Sequence, residues 1–150
     1  MPYRPTILKN AQVVLGTASQ DISDHVQSVR LTQSWAEIDD TRMGVAARSR
    51  VPGLETWDAQ IDIIQDFEST GAAIEKTLAQ LAANSALSQP VPQPVRIRAV
   101  AANKSSDNPE WSGLTYIFSH QPINGQVGEL LKTSVSLLSA STLSRSVSTS

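Results

Sequence analysis

Two carboxylates raise the question of chemistry first. Asp58 and Asp62 stand four residues apart in Trp57-Asp58-Ala59-Gln60-Ile61-Asp62-Ile63, where apolar and polar residues alternate. Alternation places both on one strand face, about 13 Å apart at ~3.3 Å per residue. Glycosidase carboxyl pairs lie roughly 5–9.5 Å apart. No third group nearby in sequence orients either carboxylate as an acid–base pair would require. With Asp66 and Glu68 they read as an acidic row on the solvated side of a strand. His25 follows Asp21, Ser23 and Asp24, a set that could serve acid–base or metal chemistry, but the same residues make a turn ahead of a strand. His120 ends another alternating segment without a partner in sequence, and Asp39-Asp40 lacks the repeated spacing of a calcium loop.

Other chemistries are excluded more simply. The chain of 150 residues contains no Cys and only two His, which removes disulfides, thiolate sites and Cys nucleophiles. Neither a dinucleotide-binding nor a phosphate-cradling glycine loop occurs, and no nucleophile-elbow serine lies between glycines. A formal net charge of −2 is far from the basic balance of a nucleic-acid binder. Arg42, Arg48 and Arg50 cluster, and Arg96 and Arg98 share a strand face, yet no aromatic platform is interleaved with them. No cofactor and no metal is implied. The first ten residues lack the apolar run of a signal peptide, and the longest apolar stretches are four residues, so a cytoplasmic, non-membrane chain is expected.

The elements that must position these residues are mostly strands. Period-two alternation marks Ala11–Leu15, Val29–Trp35, Trp57–Ile63, Val95–Ala101, Leu114–Ser119 and Leu131–Leu137, about six strands. One segment, 69–84, breaks the rhythm: Ser69 or Thr70 can cap a helix whose Ile74, Leu78 and Leu81 form a narrow apolar stripe. Pro90, Pro92 and Pro94 make a stiff extended connector. Residues 39–53 show neither period and read as a long irregular loop, while the Ser/Thr-rich 139–150 reads as a loose tail and 1–10 as an N-terminal arm. The expectation is one domain, mainly β, a sandwich or barrel-like fold with one helix.

Several turn-forming segments occur in an order that resembles the tail tube (major tail) proteins of tailed bacteriophages. They are Asp21–Val29, Ile38–Gly44, Arg48–Trp57, Ile63–Phe67, Asn108–Gly113 and Gln121–Gly128, and the likeness runs over about Asp21 to Val147. The resemblance implies a tail-tube fold with a long inter-subunit loop and an extended C-terminal tail. It implies stacked rings, hexameric in that family, forming a hollow conduit for genome delivery, with no enzymatic role. Its implied partners are copies of the same chain, a tape-measure protein and other tail components, and double-stranded DNA passing without specific binding. Its implied place is the virion tail, assembled in the host bacterial cytoplasm. On this reading Asp58, Gln60 and Asp62 line the lumen, and Arg42, Met43, Arg48 and Arg50 make inter-ring or inter-subunit contacts. Alternatives are another phage ring protein, a tail terminator or connector, and a β-sandwich carbohydrate-binding module using Trp35, Trp57 or Trp111.

Overall fold

The computed structural model describes residues 8–17, 19–67 and 74–147. Each of the six alternating segments contains a strand, β1 (Gln12–Leu15), β3 (Val26–Asp39), β4 (Arg50–Ile64), β5 (Gln93–Arg98, ending before the expected Ala101), β6 (Glu110–His120) and β7 (Lys132–Ser139); two short strands, β2 (Gln20–Asp21) and β8 (Ser144–Ser146), join them, with α1 (Ile74–Ser85) between β4 and β5. They form one antiparallel sheet in the order β2-β1-β5-β6-β7-β4-β3, with β8 added to β6. Adjacent strands in sequence need only short returns when antiparallel, which suits the turn-rich connections.

One face of this sheet is the core. Trp57, Ala59, Ile61 and Ile63 of β4 lie beside Val135 and Leu137 of β7, and Val95 and Ile97 of β5 complete the layer with Val13, Leu15 and Ile117. The sheet curls until Val29 and Leu31 of β3 face Ile97, Trp111 and Leu143 across a cleft of about 370 Å³. Leu78 and Leu81 bury the stripe of α1 against this layer, as their spacing predicts. Ser69 and Thr70, the expected caps, lie outside the described residues.

Trp57 is the largest fully buried side chain. Its ring lies on Gly113, where an added Cβ would come within 2.3 Å of Trp57 Cζ2. The indole Nε1 donates to the Ser141 carbonyl at 2.6 Å, and the Leu143 amide donates to Glu55 Oε1 at 3.0 Å. These contacts correct the expectation of a loose tail over 139–150. A single buried apolar residue, Leu143, anchors the polar segment, and its backbone pairs with β6 as β8. Residues 148–150 lie outside the described residues.

The long loop expected over 39–53 is also corrected. Arg50 to Gly53 belong to β4, paired with β3 as Asp39↔Arg50, Ile38↔Val51 and Glu37↔Pro52, which leaves only 40–49 as loop. Thr41 clasps its mouth: Ser49 N donates to Thr41 Oγ1 at 3.0 Å and Asp40 N to the Ser49 carbonyl at 2.9 Å. Periodicity fails here because of a bulge. Between Trp35↔Glu55 and Glu37↔Pro52, β4 spends one residue more than β3, which breaks its alternation.

Candidate assembly surfaces

Across β3, β4 and β7 the face opposite the core carries a regular, largely polar array, which β6 continues with Leu114 and Tyr116. Register aligns Ser28, Asp62 and Ser134 in one row, Arg30, Gln60 and Ser136 in the next, and Thr32, Asp58 and Leu138 in the third. Asp58, Gln60 and Asp62 thus share one face, as their spacing predicts, while Trp57, Ala59, Ile61 and Ile63 fill the core. The Ser28 hydroxyl donates to Asp62 Oδ2 at 2.7 Å. Hydrogen bonds from Ser28 and Ser134 hold the Asp62 carboxyl below its ordinary value; partial burial opposes them, and the charges of Arg30 and Lys132 assist.

The acidic row expected on this face is therefore corrected to a balanced one. Arg30 and Lys132 stand among Asp58 and Asp62, Asp66 falls beyond the end of β4, and Glu68 lies outside the described residues. Two carboxylates with Ser and Thr hydroxyls around them hold no general-acid geometry. Among the described residues no group of three His, Asp or Glu side chains could hold a metal ion. His25 ends a short 3₁₀ turn, Ser23–His25, in which Ser23 N donates to Asp21 Oδ1 at 3.0 Å and Val13 N to Ser23 Oγ at 2.9 Å. Partial burial raises the Asp21 carboxyl, but hydrogen bonds from Ser23 and Gln12 and the charge of Arg98 outweigh it and lower it. That cluster is a turn. His120 lines an open groove with Tyr116, Phe118 and Ala86 beside the end of α1.

A second surface is the ribbon formed where β3 and β4 outrun the sheet. β7 pairs with β4 only over Asp58–Ile64, so from Arg50 to Thr56 the only strand paired with β4 is β3, with Glu55 also accepting from the Leu143 amide. Arg42, Met43 and Arg48 sit in the loop at its tip, and Met43 is fully exposed. Arg50, expected in the same loop, lies instead on the β4 side of the ribbon and pairs with Glu37 at 2.8 Å, while Arg42 pairs with Asp40 at 3.7 Å. Hydrogen bonds from Thr41 lower the Asp39 carboxyl.

The β4 bulge sorts the ribbon's side chains. Regular alternation along β3 puts Ile38 on the same face as Arg30 and Thr32, and Val51 joins it by pairing. A Cβ on Gly53 would lie 2.8 Å from Ile38 Cδ1, which places the bulge on that face beside Leu54. Ile38, Val51 and Leu54 are all exposed there. Trp35, with Glu37 and Arg50, takes the other side. Sequence reading missed this apolar cluster because the bulge sets Val51 and Leu54 three residues apart.

A third surface is the edge of β3, a 14-residue strand at the end of the sheet order, which is unpaired among the described residues. Exposed edges of that length invite pairing with another chain. The remaining predicted clusters are structural. Arg98 does not form a basic patch with Arg96: it turns into a mostly buried ion cluster with Glu110 at 3.5 Å, which Lys104 joins at 3.8 Å. Trp57 lies in the core, and the Arg145 guanidinium stands 6.0 Å from the Trp111 ring, so only Trp35 remains open of the three tryptophans considered for a sugar platform.

An all-antiparallel sheet whose outer face is largely polar over β3, β4 and β7, with an overhanging ribbon and, among the described residues, one helix, has a mainly-β, tail-tube-like fold. Solved structures with this fold include the tail of an empty gene transfer agent particle with C6 symmetry (11% identity, TM-score 0.63, covering 88% of this chain and 93% of that one). The SPP1 tail tube is similar at 13% identity and TM-score 0.68, covering 97% of this chain and 81% of that one. The sheath–tube complex of an extracellular contractile injection system, PVC, is similar at 14% identity and TM-score 0.70, covering 96% and 93%. No protein-family profile matches the chain, and no curated protein does.

Proposed function

We propose that this chain is the structural subunit of a phage-type tail tube, assembling as stacked rings around a hollow channel. The observation that carries the proposal is the largely polar outer face of β3, β4 and β7 on a sheet whose opposite face is the core. Such a face can line an aqueous channel while the core stays closed behind it. The open β3 edge gives each subunit a way to continue its sheet into a neighbour. The ribbon tip, with Arg42, Met43 and Arg48, and Arg50 at its base, reaches toward an adjacent ring or subunit. Contacts that rotate close a ring, and axial contacts repeated without closure build a filament. Six subunits per ring fit the symmetry of the gene transfer agent tail.

The channel would conduct double-stranded DNA without holding it. Each phosphate that a protein neutralises releases counterions and adds affinity, so a conduit should offer few unpaired cations. Here Asp58 and Asp62 offset Arg30 and Lys132, and hydroxyls and amides supply most of the remaining surface. A tape-measure protein and other tail components are the remaining partners, in the virion tail, with assembly in the host bacterial cytoplasm.

Negative-stain electron microscopy of concentrated protein at moderate salt tests this. Hollow filaments with a regular axial repeat are expected. Closed rings that never stack would assign the chain to a terminator or connector instead. Monomers alone, even with preformed tail tips added as initiators, would refute the tube reading.

A further inference from the structure

Five asparagines occur in the chain, Asn10, Asn84, Asn103, Asn108 and Asn124, and of these only Asn124 is followed by glycine. Asparagine is thermolabile because its side-chain Cγ is open to attack by the backbone nitrogen that follows it. A fold protects it by burial, by bonding that nitrogen, or by a bulky next residue. Asn108 is protected: it is buried, its Nδ2 donates to the carbonyls of Val100, Ala102 and Asn103, and Pro109 follows it. Asn124 is not. It lies exposed in the turn between β6 and β7, and the Gly125 amide donates to no acceptor among the described residues. Gly125 also carries no Cβ to hinder the approach of its nitrogen. The Asn124 carboxamide is held by an exposed hydrogen bond, from Nδ2 to Gln121 Oε1 at 3.2 Å.

We infer that Asn124 is a site of spontaneous modification, a deamidation that leaves a carboxylate facing Lys132. The Gly125 nitrogen gives up its proton and bonds to Asn124 Cγ; the Cγ–Nδ2 bond breaks, and Nδ2 leaves as ammonia. Water then opens the resulting succinimide at one of its two carbonyls. Opening at Cγ gives aspartate, and opening at the backbone carbonyl gives isoaspartate, whose chain runs on through Cβ and Cγ. The net change is amide plus water to carboxylate plus ammonia, with nothing oxidised or reduced. The fold decides where the new charge points. Asn124 and Lys132 are antiparallel partners, with Lys132 N donating to the Asn124 carbonyl at 2.9 Å. Their side chains therefore emerge on one side, with Cβ atoms roughly 4.5–5.5 Å apart. Lys132 is one of the two cations that offset Asp58 and Asp62, so a carboxylate beside it tips that face toward negative charge. The chemistry needs only the folded subunit; its consequence for a channel wall, which grows more acidic with age, rests on the tube reading proposed above.

The test holds the purified subunit in mildly alkaline buffer and follows each asparagine by peptide mass spectrometry. Asn124 is expected to convert about tenfold or more faster than Asn84 or Asn103, whose following residues carry a Cβ, and Gly125→Ala to slow it by a similar factor. Conversion no faster than at Asn84 and Asn103, or an unchanged rate in Gly125→Ala, would overturn the inference. A Cβ at position 125 would lie 3.3 Å from Leu131 Cδ1, so Asn124→Gln supplies a variant that needs no room there. Its longer side chain must close a larger ring, and conversion of that peptide at the original rate would equally refute the route. The placement is tested on Asn124→Asp by nuclear magnetic resonance: the introduced carboxyl should titrate below the ordinary aspartate range, and adding Lys132→Gln should bring it back up. A carboxyl that ignores Lys132→Gln would overturn the pairing. None of these outcomes bears on tube formation, which electron microscopy decides separately.

Discussion

Gly113→Ala adds one methyl group to the most constrained point of the molecule. Its Cβ would lie 2.3 Å from Trp57 Cζ2 and 3.0 Å from Cη2, distances that force the ring to move. The φ angle at Gly113 is not in the left-handed region, so backbone strain contributes nothing and the cost is steric. Alanine would even lower unfolded-chain entropy, a gain of ~0.4–1 kcal/mol. Against that, overpacking a filled core costs about 1–3 kcal/mol. A shifted indole also weakens its 2.6 Å bond to the Ser141 carbonyl, worth about 1 kcal/mol or more for a buried donor. The net expectation is a loss of roughly 1–3 kcal/mol, which lowers Tm by about 3–10 °C for a domain of this size. Thermal unfolding followed by near-ultraviolet circular dichroism measures it, with Ser112→Ala as the neighbouring control. Trp57→Phe shortens the ring on that side, so the double variant should lose less than the sum of the singles, with coupling of ~1 kcal/mol or more. An unchanged Tm in Gly113→Ala, or strict additivity with Trp57→Phe, would refute this account of how Trp57 is held.

Two further outcomes follow from the polar face. Because the Asp62 carboxyl is lowered in the folded state, it contributes stability that is present above its unfolded value of 3.8 and is lost as pH falls through the folded value. Ser28→Ala should therefore flatten the decline of urea stability in that acid window and leave the slope near neutral pH unchanged; identical pH profiles would contradict the assignment. Asp58→Lys with Asp62→Lys turns a balanced wall cationic, so assembled tubes should hold DNA with a steeper salt dependence and release a genome more slowly. Filament formation should persist, since neither side chain touches the core, and normal ejection kinetics would remove Asp58 and Asp62 from the lumen.

Strands β4, β5 and β7 are legible in the sequence because each is buried on one face only, whereas in β6 the alternating Leu114, Tyr116 and Phe118 lie outside and Thr115 and Ile117 face the core. Trp57, Ala59, Ile61 and Ile63 alternate with Asp58, Gln60 and Asp62, and a period of two admits one register against the core. The helix is legible for the same reason at its own period, through Leu78 and Leu81. What escapes are features made by pairing between distant segments. β8 has no apolar alternation of its own; it is placed by Leu143 in the core and by β6 beside it. The long reach of β4 into the expected loop is hidden by its bulge, since the chain alternates again only after Gly53 and Leu54 have been counted as one position. The charge balance of the outer face is hidden too, because Arg30 and Lys132 come to Asp58 and Asp62 only across β3 and β7.

The surfaces left open on the subunit argue for self-association independently of any likeness to other structures. Soluble sheets usually guard a free edge with charge, yet along the body of the sheet β3 presents Ser28, Thr32 and Ser34 beside the single cation Arg30. Trp35 is 53% exposed and Leu54 85%, on opposite sides of the same ribbon. A monomer keeping both the edge and these side chains uncovered carries an aggregation hazard with no compensating role. If copies of the chain cover them, the same features become an interface. The two kinds of contact respond differently to salt: apolar burial is nearly indifferent to it, whereas contacts between exposed charges are screened beyond about 10 Å at ~0.1 M. Self-association through the ribbon should therefore persist as salt is raised, while DNA retention by the Asp58→Lys, Asp62→Lys variant should collapse, and that contrast tests the proposal that one surface builds the tube and the other lines it.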